Sequence, residues 1–202
     1  MDLECTNFQQ HTGVRWLSIG PAIRRILEQW DAITQFVVQI SKDQKRVPKS
    51  ANFKRLYTLL GTNEKAVMKV SLEFLSVIIP VFEQLLLFFQ KESPTVHIMY
   101  DTLCDSLLKL MRRFMKITAI EKKYGSDLVG IDCKDVKLQL QDKDIVIGKN
   151  TRKVLKELTA EQQKQVMLGI QSFFGTTTTE LQQKLPLQND LLRQLGCLNP
   201  SK

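Results

Sequence analysis

The chain has 202 residues, enough for one compact domain with a sizeable core or for two small ones. With 43% hydrophobic and 25% charged residues its composition is that of a globular protein, which argues against long disorder. Twenty-nine Lys and Arg stand against 21 Asp and Glu, a formal charge of +8. That excess either keeps a soluble domain apart from its copies or serves an anionic partner, most simply nucleic acid.

The four cysteines, Cys5, Cys104, Cys133 and Cys197, are scattered and form no C-x-x-C pair, so they read as free thiols in a reducing compartment. The histidines His11 and His97 lack the closely spaced partners that a zinc site needs. The opening MDLECTNFQQ carries acids and no apolar core, so it does not read as a signal peptide.

In chain order, Ser18, Gly20 and Pro21 open the first helical signal. Ile23, Ile26, Leu27, Trp30, Ile33, Val37 and Ile40 then recur at helical spacing, and predict one amphipathic helix of about twenty residues. Residues 41–50, SKDQKRVPKS, read as a basic loop. Ser50 is placed to cap a short helix carrying Phe53, Leu56, Tyr57 and Leu60, ended by Gly61. Thr62 is the expected cap of the next helix, which runs to about Lys91. Its second half is apolar almost all round, so it is expected in the middle of a bundle, with a kink at Pro80. Lys69, Glu73 and Glu83 argue against a membrane span there.

Ser93 and Pro94 predict the start of a helix carrying Val96, Met99, Leu103, Leu107, Leu110, Phe114 and Ile117. Residues 126–148 are short-patterned. The alternation of Val136, Leu138 and Leu140 is compatible with a strand or with an irregular excursion across the bundle. Helix resumes over residues 150–158. Thr159-Ala-Glu-Gln162 is a capping box opening a long helix that Gly175 and Thr176 to Thr179 are expected to weaken or bend. Pro186 stops it, and residues 189–195 form a last short helix ended by Gly196. The fold class is therefore mainly α: an elongated array of six or seven helices, with at most a short irregular or β excursion near 126–148. Residues 1–13 form a poorly defined tail, and 14–202 are taken as one helical domain.

The segment V-R-W-L-S-I-G-P-A-I-R-R-I-L-E-Q-W-D-A-I, Val14 to Ile33, resembles the R-W segment of hAT-type transposases, with Val14 where that family carries threonine. F-Q-K-E-S-P-T-V-H-I-M-Y-D, Phe89 to Asp101, is similar to a further stretch of the same family. So are L-T-A-E-Q-Q-K, Leu158 to Lys164, and the run from Leu185 to Pro200. The likeness covers nearly all the chain, and the shared order of these motifs carries it.

The resemblance implies the helical insertion that interrupts an RNase H-like fold. It places the first two catalytic aspartates before the R-W segment and the glutamate after the insertion. The zinc finger then lies upstream and the dimerisation region at the far carboxyl end. Cleavage by that chemistry needs carboxylates clamping metal ions. Asp101, Asp105, Asp127 and Asp132 match none of those positions, so the expectation is no catalysis by these 202 residues alone. No metal, cofactor, small-molecule substrate or membrane is expected, and the implied location is nuclear.

Arg15 and Trp16 match the family motif. The resemblance implies that the tryptophan stacks on an extruded base while the arginine neutralises phosphate; packing of Trp16 against the first helix is the competing account. Lys42, Lys45, Arg46, Lys49, Lys54 and Arg55 form a basic stretch opposed only by Asp43, and are candidate phosphate contacts or a solvated surface. Lys109, Arg112, Arg113 and Lys116 are explained by the dipole of the helix they end. His97, Asp101 and Cys104 share a helical face but make an incomplete metal set. Val146 to Lys149 lacks the glycine spacing of a phosphate loop. The sequence reading is thus a DNA-associated piece of a hAT transposase-like protein; a helical module for protein partners or self-association is the alternative.

Overall fold

The computed structural model describes residues 18–42, 48–61 and 64–199. The chain is mainly helical: 74% helix, with nine α-helices and no strand among the described residues. They are α1 (Ile19–Glu28), α2 (Trp30–Lys42), α3 (Ala51–Gly61), α4 (Glu64–Phe89), α5 (Val96–Met111), α6 (Ile117–Ile120), α7 (Lys149–Leu155), α8 (Ala160–Lys184) and α9 (Asp190–Gln194). They divide into two compact units. One comprises residues 1–80 and 148–163, the other 81–147 and 164–202. The helices α4 and α8 each run from one unit into the other.

In the first unit, the single helix expected after Pro21 is two. Gln29 leaves the helical region at φ −103°, ψ 15°, and α2 starts at Trp30. Neither glycine nor proline marks this break. Pro21 sits in the first turn of α1, where its missing N–H costs no intrahelical bond. Trp30, Val37 and Leu60 form a buried cluster, with Ile26, Ile33, Leu56, Met68 and Leu72 packed around it. Ser50 Oγ accepts from Phe53 N at 3.1 Å, the cap expected for α3. The expected cap Thr62 lies outside the described residues.

The expectation of a fully buried α4 fails. Only Val70, Phe74, Ile78 and Phe88 of this helix are buried, whereas Leu86, Leu87 and Phe89 are exposed. Val70, Phe74 and Ile78 step by four residues, so a single row is covered while the other apolar sides stay half-open. By length and composition α4 could cross a membrane: an 18-residue window has mean hydropathy 1.9, and 17% of it is buried.

In the second unit, α5 starts at Val96, with Thr95 before it, later than the Ser93-Pro94 start expected. Leu103, Cys104, Leu107, Leu110 and Met111 point into the core, and Phe114 follows. The Phe114 ring stacks on Phe174 of α8 at 5.0 Å between centroids and 5° between planes. The stretch 126–148 is an irregular excursion and not a strand. It makes one isolated bridge, Met115 with Gln139, and two short 3-10 turns at Gly125–Leu128 and Val136–Leu138.

That excursion satisfies backbone groups left open where α5 ends. Leu140 N donates to Phe114 O at 2.7 Å, Val146 N donates to Arg113 O at 2.7 Å, and Lys116 N donates to Leu138 O at 2.8 Å. Gln182 of α8 clamps it from the other side, donating through Nε2 to Leu128 O at 2.6 Å and Ile131 O at 2.9 Å.

The capping box is present. Gln162 N donates to Thr159 Oγ1 at 3.3 Å, and Thr159 N donates to Gln162 Oε1 at 3.2 Å. The helix α8 then runs unbroken through Gly175 and the threonines. A Cβ at Gly175 would stand 3.3 Å from Cys133 O, so this glycine serves close packing of the excursion. Asn189 caps α9 by accepting from Leu192 N at 3.0 Å; beyond α9 the chain continues as a 3-10 turn, Leu195–Leu198, through Gly196.

Candidate nucleic-acid interface

The positive charge is unevenly held. Among the described residues the first unit carries twelve Lys and Arg against six Asp and Glu, and the second thirteen against twelve. Any electrostatic attraction for an anion is therefore centred on the first unit.

The local reason lies in how α2 and α3 pack. The helix α2 turns Trp30, Thr34 and Val37 inward, and α3 turns Leu56 and Leu60 toward the same cluster. Helical spacing then fixes the outer surface of α3: Lys54, Arg55, Tyr57 and Thr58 are all exposed. Lys42 closes α2 and is exposed, as is Lys49, one residue before the α3 cap.

Four of the candidate contacts, Lys42, Lys49, Lys54 and Arg55, thus lie at the end of α2 and in the first half of α3, two helices that pack on each other. Lys49, Lys54 and Arg55 flank the amino end of α3, where the helix dipole is also positive, so their potentials add. Tyr57 stands exposed one turn from Lys54, and supplies a ring beside the cations. Arg15, Trp16, Lys45 and Arg46 lie outside the described residues.

The second basic cluster sits as the dipole account has it, around the carboxyl end of α5. Lys109, Arg112 and Lys116 are exposed, and Lys116 Nζ donates to Lys137 O at 2.6 Å. Burial lowers the pKa of the half-buried Arg113. One set of cations escaped the sequence reading: Lys149, Arg152, Lys153 and Lys156, on and just after α7. Their spacing is present in the sequence, but Lys149 was weighed only as the end of a phosphate-loop candidate and residues 150–158 only for the limits of their helix.

Other candidate chemistry resolves into packing. Cys104 is buried, and burial raises its thiol pKa. Asp101 accepts from Tyr124 Oη at 3.1 Å; burial first, then the neighbouring Asp105, raise the Tyr124 pKa. Among the described residues no group of three or more His, Cys, Asp or Glu is placed to hold a metal ion. Cys104, Cys133 and Cys197 are free thiols, the first two buried; Cys5 lies outside the described residues. A groove of about 760 Å³ opens in the first unit beside Trp30. Asp31, Glu157 and Glu161 line it together with Lys65 and Lys69, a mixture of signs unsuited to a polyanion.

No family model, curated protein or solved structure matches the chain.

Proposed function

We propose that this chain is a DNA-associated, nuclear piece of a hAT transposase-like protein that acts as a scaffold and not as the catalyst. Lys42, Lys49, Lys54 and Arg55 of the α2–α3 corner, with Lys45 and Arg46 between them in sequence, contact phosphates. The concentration of excess positive charge in the unit that holds this corner carries the reading. The motif likeness from Val14 to Pro200 supplies the family.

Binding through these six phosphate contacts gives a slope of about −5.4 in log K against log salt, so doubling the salt weakens binding about fortyfold. Fluorescence anisotropy with a short labelled duplex at several salt concentrations reads this directly. The K45E/R46E/K49E variant is expected to lose binding, and affinity unchanged in that variant refutes the assignment.

The exposure of Leu86, Leu87 and Phe89 on α4 favours a second reading, a module for protein partners or self-association. Light scattering separates the two: a defined oligomer together with no affinity for DNA selects the second.

A further inference from the structure

We propose that α7 is a second phosphate-binding track, which grips the backbone of duplex DNA through Lys149, Arg152, Lys153 and Lys156; this rests on the chain being DNA-associated. At 100° per residue the four cations fall within an arc of about 100°. Thr151, Val154 and Leu155 are buried on the opposite side. Lys149, Lys153 and Lys156 are exposed, and Arg152 is half-buried. From Lys149 to Lys156 the stripe rises about 10 Å, the axial span of about three phosphate steps on one DNA strand.

Helix stability does not account for Lys149, which opens α7 in a first turn without acids and so opposes the dipole, whereas Arg152 and Lys153 lie in the last turn, where the dipole favours them. Lys149 with Lys153, and Arg152 with Lys156, are like-charge pairs four residues apart, each destabilising to a free helix. A bound polyanion relieves the repulsion and, at Lys149, the adverse dipole.

The mount is rigid. Gly148 turns the chain into α7 with φ +95°, and a Cβ there would stand 2.6 Å from Val77 Cγ2, so α4 packs close against the turn. The buried side of α7 fixes its rotation. The stripe carries no aromatic ring, in contrast to α3 with Tyr57. It therefore reads phosphate without stacking on bases, which suits a paired duplex better than a single strand.

The test compares the full chain with a K149A/R152A/K153A/K156A variant and a K42A/K49A/K54A/R55A variant. Each is titrated into a labelled 20-base-pair duplex and into its single strand across a salt series. Circular dichroism checks the fold; if loss of Arg152 disturbs it, K149A/K153A/K156A is read instead. The expected result is a salt slope shallower by about one for each contact removed from α7. At moderate salt, duplex affinity should fall at least tenfold.

Duplex slope and affinity equal to the unsubstituted chain, while the corner variant loses both, would overturn the α7 track and leave the DNA reading standing. No salt-dependent binding by the unsubstituted chain overturns both. Equal losses for single strand and duplex overturn the assignment to paired DNA.

Discussion

Replacing Gln182 by leucine tests what fixes the excursion over residues 126–148. The side chain is almost fully buried and donates to two carbonyls, Leu128 O at 2.6 Å and Ile131 O at 2.9 Å. Leucine has similar bulk and no donor, so both carbonyls lose that partner inside the core. Each keeps a longer one, Ile131 N at 3.5 Å on Leu128 O and Cys133 Sγ at 3.6 Å on Ile131 O. The loss is therefore that of two hydrogen bonds at about 0.5–1.5 kcal/mol each, roughly 1–3 kcal/mol together. For a chain of this size that corresponds to a fall in Tm of roughly 2–12 °C.

Urea unfolding followed by circular dichroism measures it, and a loss below about 0.5 kcal/mol would show that other groups hold those carbonyls. Gln182→Glu adds a pH signature. A carboxylate facing two carbonyl oxygens is disfavoured, so its folded pKa is raised above the unfolded value of about 4.3. Stability relative to the unsubstituted chain is then greatest below that unfolded value and lost as pH rises through the folded one. A deficit for Q182E that is the same at pH 4 and pH 7 would contradict this geometry.

Gly148→Ala should cost roughly 2–5 kcal/mol, because it combines a positive φ with a contact of 2.6 Å to Val77 Cγ2. Val77→Ala in that background should recover the steric part, and a double-mutant cycle with no coupling refutes the contact. Phe174→Ala should destabilise by about 3–5 kcal/mol through loss of the ring stacked on Phe114, and Phe174→Leu by clearly less, as read from urea midpoints. With Cys5 replaced by serine, a thiol reagent at pH 8 should label the exposed Cys197 promptly and the buried Cys104 and Cys133 only after unfolding.

Burial pushes the Cys133 thiol up to about 11 from 9.0. Its contribution is complete below the unfolded value and lost between about pH 9 and 11, up to roughly 3 kcal/mol. Cys133→Ala should flatten the alkaline fall in unfolding midpoint, and an unchanged pH dependence refutes the assignment.

Helices with strong local signals were legible in the sequence. The Ser50 cap, the Thr159–Gln162 box and the apolar row of α5 each encode their element within a few residues, and the structure places them where the pattern does. The break at Gln29 was not legible, because neither glycine nor proline marks it and the apolar spacing runs straight across. The exposure of α4 was missed for a related reason. Apolar composition all round a helix states what it could bury, whereas the neighbours available to cover it are a tertiary fact. The excursion could not be assigned because its backbone bonds go to the end of α5, distant in sequence, and not to a regular partner strand. Within the candidate interface, the α3 cations follow from amphipathic spacing, while the gathering of net charge in one unit needed the division of the chain to become visible.

The first unit is assembled from two stretches of chain, residues 1–80 and 148–163. The cluster of Trp30, Val37 and Leu60 draws only on residues before Pro80, so it can close early during synthesis. The rest of the unit must wait for α7. At the usual pace of translation, making the 83 residues from Pro80 to Gln163 takes roughly 4–17 s. For that interval the nascent protein presents Val77 of α4 without the turn at Gly148 that later packs against it, a window in which a chaperone or a wrong partner meets the unfinished surface.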